Sequence, residues 1–575
     1  MREREGLRWR REDRDCDSRK VDVLTGLPGL NLFMDEATLL LKRAADSGQV
    51  AFVFFDVDNF KTFNRKYGFS SGSDFLQGVA RAISEEFPER LVSRLYDDHF
   101  AVLDYSATVE ERVKNVLEKT RKLRRNINME LKAGIYVPDS AVYSIALVMD
   151  RAKMACDSIK RVFDQNYRFY DWRLEETIKV KNHVISDFRS ALDNNYIKVF
   201  YQPEVRTMTG EVCGYEALAR WIDPVYGMLS PAVFVEVLEN VHLVHLLDLY
   251  VIEEVCRRLQ EGQQQGRQLV SVSVNLSRID FLLADMFAEI EKLRNKYELP
   301  TELLNIEITE SALYNDGDNL REQIERFREA GYEVWMDDFG SGYATLNNLK
   351  DYRFDVLKID MHIIRGLENN ENSKKILSMI VNLAKELKMH TLAEGVETAE
   401  QLEFLRAIGC EKIQGYLFGK PMPFGEQKHK LRHEPMELRA YYDKIGITNV
   451  LSTFPLRDVS AVYRFVNHIA VAVIECNTAG EELTGYHYLY KNRIFVAYMK
   501  DLGFEATDED LTYFAAHFAH NGLPAMPAFF RRCLETKNER TETNIEGVIR
   551  GAVCSFAGRC SATSGARAAF VVIVK

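Results

Sequence analysis

Between residues 269 and 414, short apolar runs alternate with amphipathic stretches of helical period, and no other feature constrains the fold as much. The strand-like runs are 269–275, 303–310, 332–336, 356–359, 390–393 and 412–413. Their β-branched and aliphatic content suits strands covered on both faces. Helical patterns fill 320–330, 374–388 and 398–408. Gly331 closes the first; Thr398 caps the start of the third and Gly409 its end. Repeated βα units build parallel sheets, and about 250 residues of them close into one (β/α)8 barrel. Asn275, Glu307, Asp337, Lys358, Glu394 and Gln414 each fall at or near the C-terminal end of a run. In a barrel those ends converge on one face, where active sites are built. The set offers carboxylate and amide oxygens without Cys or His, which predicts Mg²⁺ or Mn²⁺ and not zinc.

The run ending at Met336 stops in two adjacent carboxylates, Asp337 and Asp338, followed by Gly340 and Gly342. Alone, the pair reads as an exposed turn. Two neighbouring anions repel unless a cation lies between them. Joined by the other strand ends, the pair reads as the centre of a cation site.

Composition excludes some classes. A net charge of −11 over 575 residues argues against a general nucleic-acid binder, although a local basic pocket can still hold phosphate. The nine cysteines include no CxxC and no zinc spacing, as expected for reduced thiols in a cytoplasmic protein. No apolar run nears the ~20 residues of a membrane helix, and the charged N-terminus lacks a signal-peptide core. The chain divides into a charged tail or connector over 1–20, a first domain over 21–172, the barrel over 173–432 and a third domain over 433–575.

The first domain opens on Asp22-Val23-Leu24-Thr25-Gly26-Leu27-Pro28. It continues through a strand over 50–57 into Asp56-Val57-Asp58-Asn59-Phe60-Lys61, a helix over 73–86, and a hairpin built from 90–92 and 100–103. These segments resemble a GGDEF (diguanylate cyclase-type) domain, which implies a palm-like α/β sheet joining two GTP molecules. The signature turn reads Tyr96-Asp97-Asp98-His99-Phe100. Both glycines are gone, and His99 replaces an acid that helps hold metal in the family. Asp56 and Asn64 keep their types, Ser73 replaces a guanine-reading acid, and the inhibitory RxxD is absent, with Phe87 and Arg90 at its ends. The domain is therefore expected to be degenerate and inactive as a cyclase; the resemblance leaves GTP binding open.

The barrel segment resembles EAL phosphodiesterases, which cleave cyclic di-GMP. The motifs come in order: Glu216-Ala217-Leu218-Ala219-Arg220, Ser273-Val274-Asn275-Leu276-Ser277, Glu307-Ile308-Thr309-Glu310, Asp337-Asp338-Phe339-Gly340-Ser341-Gly342, Lys358-Ile359-Asp360, Ala393-Glu394-Gly395-Val396-Glu397-Thr398 and Gln414-Gly415-Tyr416. The resemblance implies two metal ions per site, Mg²⁺ or Mn²⁺, held by Glu216, Asn275, Glu307, Asp337 and Asp338, with Asp337 bridging. It implies a general base or water-orienting role for Glu394, a positive charge beside the water from Lys358, and a water- or metal-holding Gln414. Glu310 would steady the glycine loop, and Arg220 would pair with a substrate phosphate. The product is linear pGpG, and a homodimer through this domain is expected. Departures are mild: Ser341 stands for a common Thr, and Glu411 for a common Asp. The alternative is a silent cyclic di-GMP receptor acting through partners. Such receptors lose a ligand or the base, whereas every one is present here.

In the third domain, strands are expected over 468–474, 486–490, 548–556 and 568–574, with a helix over 492–502. The order resembles a small α+β PAS sensor domain. Cys554 and Cys560 are expected to be buried thiols and not a redox pair.

Overall fold

The computed structural model describes residues 21–44, 50–104, 107–123, 129–138, 144–160, 162, 164–314, 317–340, 346–367, 370–425, 431–447, 470–478, 483–536 and 543–574. The tail 1–20 and the glycine-loop residues Ser341 and Gly342 lie outside them. The chain splits into two compact units between His183 and Val184, within the helix Trp172–Asp193.

The first unit is built on β1 (Ala51–Asp58), apolar on both sides and therefore central. With β2 (Leu91–Tyr96), β3 (His99–Asp104), β4 (Glu130–Tyr136) and β5 (Tyr167–Phe169) it forms a sheet of order β2-β3-β1-β4-β5. Alternate side chains face opposite ways. Val53, Phe55 and Val57 pack under the helix Phe69–Glu86 through Phe75, Val79 and Ile83. Phe52 and Phe54 join Phe33, Val148 and Ala152 on the other face. The expected hairpin is β2–β3.

In the second unit β6 (Ile197–Arg206), β7 (Val212–Asp223), β9 (Ser271–Leu276), β10 (Leu304–Thr309), β11 (Val334–Phe339), β12 (Val356–Ile359), β13 (His390–Ala393) and β14 (Lys412–Gln414) close a barrel, with short β8 (Gly227–Leu229) and β15 (Met422–Pro423) at its rim. From β7 through β14 the ring strands run parallel. β6 corrects the simple (β/α)8 expectation, because it runs antiparallel to both β7 and β14. Residues 207–211 join β6 to β7, with Gly210 at φ 73. So short a connection makes a hairpin, whereas a parallel crossover needs a dozen residues or more.

The end of the barrel away from the strand C-termini is closed by the helix Met436–Ile447. Buried Arg206 donates to both oxygens of Glu434 at 2.8 Å and to Asp443 Oδ1 at 2.8 Å, and Arg439 meets Glu333 at 2.8 Å. The helix's Tyr441, Tyr442 and Ile445 pack against Val471, Val473, Val571 and Ile573 of the C-terminal sheet. The unusual Glu411 also works here: its Oε2 lies 2.5 Å from His390 Nδ1. Burial alone favours neutral His390, but Glu411 outweighs it and raises the imidazole above its ordinary value of 6.5. The folded state therefore holds this proton more tightly than the unfolded chain. The stabilisation is complete below pH 6.5 and is lost as pH rises through the folded value. His390→Asn should flatten that part of the pH dependence, read from urea midpoints across neutral pH.

The C-terminal part is an antiparallel sheet of β16 (Ala470–Asn477), β17 (Thr484–Lys491), β18 (Ala519–His520), β19 (Leu523–Pro524), β20 (Thr543–Ile549), β21 (Ala552–Ser564) and β22 (Arg567–Val574), in the order β17-β16-β22-β21-β20-β18-β19. Phe495, Met499, Phe514, Phe529 and Phe530 from three helices cover one face. The strand expected over 548–556 is two strands. Arg550 at φ 48 and Gly551 at φ 84 turn the chain between β20 and β21, the backbone a two-residue hairpin requires. Cys554 and Cys560 are both buried. Among the described residues, no helix is long and apolar enough to cross a membrane.

Candidate active site

Lys358, on the short strand β12, is fully buried and is the hub of the site. Its Nζ lies 2.7 Å from Glu307 Oε2, 2.7 Å from Glu394 Oε1, 3.0 Å from Asp337 Oδ1 and 3.6 Å from Glu216 Oε1. These partners come from β7, β10, β11 and the end of β13, so the parallel ring brings them together. Burial opposes the ammonium charge, but the four carboxylates outweigh it and hold Lys358 well above its usual range. Burial also pushes Glu307 well up, and raises Glu394 to about 8 despite Lys358. Asp338 rises to about 6 through burial and then the charge of Asp337.

A second layer fixes these groups. Glu216 accepts from Asn275 Nδ2 at 2.9 Å and from Gln414 Nε2 at 2.6 Å. Gln414 also donates to Gln202 Oε1 at 3.1 Å. Glu216 sits in the middle of β7, opposite Gln202 of antiparallel β6, and not at a strand end. Asp338 leaves the strand at φ 58 where the β11–β12 register shifts, and its N–H donates to Asp337 Oδ1 at 2.9 Å. That bulge re-aims Asp338 relative to its neighbour.

The residues fit hard divalent cations. Asp337, Asp338 and Glu394 bring one oxygen each within 4.8 Å of one another. Glu307 Oε1 is buried with no hydrogen-bond partner among the described residues. Every donor is a carboxylate or amide oxygen, the set that suits Mg²⁺ or Mn²⁺.

A cleft of about 330 Å³ opens above the carboxylates, lined also by Gln202, Leu218, Met361, Arg365 and Tyr416. Arg220 is not among its lining residues. The Arg220 Nη1 donates to the Ala219 carbonyl at 2.8 Å, and the guanidinium lies over the Phe200 ring. Glu310 is buried in the short turn Glu310–Tyr314 just after β10 and also stands off the cleft. Of the loop after Asp338 that it was expected to steady, residues 341–345 lie outside the described residues. Sequence reasoning missed Gln202 and Arg365. Gln202 had a signal: a polar position inside the apolar alternation of 197–205.

Gly415 follows the site residue Gln414 where backbones touch. A Cβ there would lie 2.1 Å from Val396 O and 2.3 Å from Val396 N. Gly415→Ala must push apart the segments carrying Gln414 and Glu394. The expected cost is about 1–3 kcal/mol of stability, with turnover falling more than the melting temperature implies. Calorimetry beside initial rates checks it.

In the first unit, Tyr96 ends β2, Asp97 and Asp98 form the turn with Asp97 at φ 45, His99 starts β3 and Phe100 is in the core.

The family models agree with this geometry. Residues 185–421 match the EAL domain, and residues 19–164 match the diguanylate cyclase GGDEF domain. The chain therefore carries an EAL domain preceded by a GGDEF domain. Among curated relatives, an uncharacterized signaling protein of Caulobacter vibrioides is 31% identical over 70% of this chain and 51% of its own. The bifunctional diguanylate cyclase/cyclic di-GMP phosphodiesterase MucR of Pseudomonas aeruginosa is 30% identical over 70% of this chain and 60% of its own. The chain thus spans about half to three-fifths of the length of these relatives. A solved structure of the PaMucR phosphodiesterase in a c-di-GMP complex is 34% identical, covering 42% of this chain and 98% of that one, with a TM-score of 0.40.

Proposed function

We propose that the barrel hydrolyses one phosphodiester of cyclic di-GMP to linear pGpG. The observation that carries this reading is the convergence of Glu216, Glu307, Asp337 and Glu394 on buried Lys358, beneath a cleft sized for part of a nucleotide. The name of the MucR relative supports the substrate. Glu216, Asn275, Glu307 and Asp337 would hold one ion, and Asp337 with Asp338 a second. When bound, such ions supply Lewis-acid stabilisation of phosphoryl charge and make a nearby water easier to deprotonate. Glu394 takes the proton of the attacking water. Burial raises this carboxyl above the ordinary range in the ion-free chain, which favours taking up a proton. Lys358 keeps the carboxylates together, and Gln414 anchors Glu216. Water adds to phosphorus, the bond to one 3′ oxygen breaks, and that oxygen leaves as a hydroxyl. Arg220 gives one of its five N–H donors to the Ala219 carbonyl, which leaves others for a substrate phosphate. The order β17-β16-β22-β21-β20, with helices between β17 and β20, supports a PAS-like sensor reading of the C-terminal part. A homodimer through the barrel belongs to the same proposal.

The test is incubation of the purified chain with cyclic di-GMP and Mg²⁺ or Mn²⁺, with products separated by chromatography. Appearance of pGpG supports the enzyme. Tight binding with no product would leave a receptor.

A further inference from the structure

The GGDEF resemblance implies a divalent ion at Asp56, with an acidic partner at position 99, to carry a nucleoside triphosphate. The residues present do not fit that ion. Asp56, near the end of β1, is 4% exposed, and its Oδ2 is already engaged twice. His99 Nε2 lies 2.9 Å from it and Lys160 Nζ 2.6 Å from it. Lys160 also meets Asp157 Oδ1 at 2.6 Å, and His99 Nδ1 lies 3.8 Å from Asp98 Oδ1. Hard cations seek carboxylate oxygen, whereas this oxygen faces two nitrogens carried by the chain. Among the described residues, only Asp337, Asp338 and Glu394 bring three ligand atoms within 4.8 Å; Asp56, Asp98 and His99 do not. The charges agree with the geometry. Burial works against ionised Asp56, but the bonds from His99 and Lys160 outweigh it and hold the carboxyl below its ordinary range.

A second, independent observation concerns the turn. A glycine turn lets backbone lie against a nucleotide, because it has no side chain in the way. Here Tyr96 stands in that turn with its ring 4.7 Å from the His99 imidazole. The Asp97 carbonyl accepts from Arg94 Nη2 at 2.5 Å and Nε at 3.0 Å. Arg94 Nη1 in turn bonds both oxygens of Asp22, at 3.1 and 3.0 Å. The turn is thus tied to the loop at the start of the unit, and it carries side chains at Tyr96 and Asp97 where a glycine turn has none.

We infer that His99 and Lys160 act as internal cations in the place a divalent ion takes beside Asp56, so that the first unit takes no metal-bound nucleoside triphosphate. It keeps the sheet of a cyclase with its ion site converted into an ion-pair cluster that joins the β2–β3 hairpin and the end of the helix Ile145–Asp157 to β1. This stands whether or not the barrel proves to be a phosphodiesterase.

Counting Mn²⁺ bound to the full chain by electron paramagnetic resonance tests it. Asp56→Asn should bind as many ions per chain as the wild type, because no ion rests on Asp56. His99→Glu, which restores the acid and removes one nitrogen, should gain one ion. In equilibrium dialysis with GTP, the wild type should retain no Mg²⁺-dependent nucleotide. A loss of one ion in Asp56→Asn would overturn the inference. So would GTP that is bound with Mg²⁺ and released by EDTA or by Asp56→Asn. A folded His99→Glu protein with no added ion would show that His99 is not what excludes the metal. If His99→Glu fails to fold, the Asp56→Asn count and the dialysis decide alone.

Discussion

Lys358→Met leaves the chain folded when divalent ions are supplied but cuts cyclic di-GMP turnover by about 10²- to 10³-fold, the usual scale for losing one preorganised charge. Methionine matches the length of the lysine stem and carries no charge. Glu216, Glu307, Asp337 and Glu394, all within 3.6 Å of Nζ, would then face one another without a cation. Removing one partner from a buried ionic cluster costs about 3–5 kcal/mol, since uncompensated charge remains inside. The metal-free variant should therefore melt well below the metal-free wild type, and added Mn²⁺ should recover much of the difference, because it returns positive charge to the same oxygens. Turnover should not recover, because the carboxylates lose the fixed point that spaces them. Calorimetry with EDTA or Mn²⁺, beside initial rates, reads both halves. A variant with full turnover would remove Lys358 from the account.

The second large effect is at Glu394. Glu394→Gln keeps the shape and can still accept from Lys358 Nζ, which lies 2.7 Å from the native Oε1. What it loses is the ability to take a proton. General-base catalysis contributes about 10²- to 10⁴-fold, so turnover should fall over that range while cyclic di-GMP binding, measured by calorimetry, stays close to wild type. Burial raises the carboxyl to about 8 in the ion-free chain, and cations at Asp337 and Asp338 would lower it, so the wild-type rate should climb with pH through a midpoint below that value. The Gln variant should lose that rise. Equal loss of binding and rate would instead mean that Glu394 holds substrate or ion.

The sequence predicted β12 and β13 to the residue, and the reason is physical. Strands covered on both faces are continuous apolar runs, and 356–359 and 390–393 stand out against amphipathic helices. The site residues were legible for the complementary reason, since a carboxylate or amide at the end of such a run breaks its pattern. β6 was not legible as an antiparallel closing strand. Lys198, Gln202, Glu204 and Arg206 alternate with Ile197, Val199, Tyr201 and Val205, which marks a strand but not its direction, and their partners are remote; Arg206 meets Asp443 across 237 positions. Lys358 was expected beside a water, whereas the fold makes it the shared partner of four carboxylates, a relation that no spacing along one chain encodes. Arg220 has the chemistry for a phosphate, and the structure shows one of its donors on the Ala219 carbonyl and its guanidinium over Phe200. The turn at Arg550-Gly551 lacks the Asn-Gly or Asp-Gly signature that marks such hairpins, so two strands read as one.

The opening alternation is thus what carries the chemistry, because parallel strands gather their ends at one place. The measurement that bears on this most directly is turnover of cyclic di-GMP by metal-stripped protein as Mn²⁺ is returned. No pGpG is expected in EDTA, with recovery as ions are restored and no recovery in Asp337→Asn. Sustained hydrolysis in EDTA, or full recovery in Asp337→Asn, would contradict this.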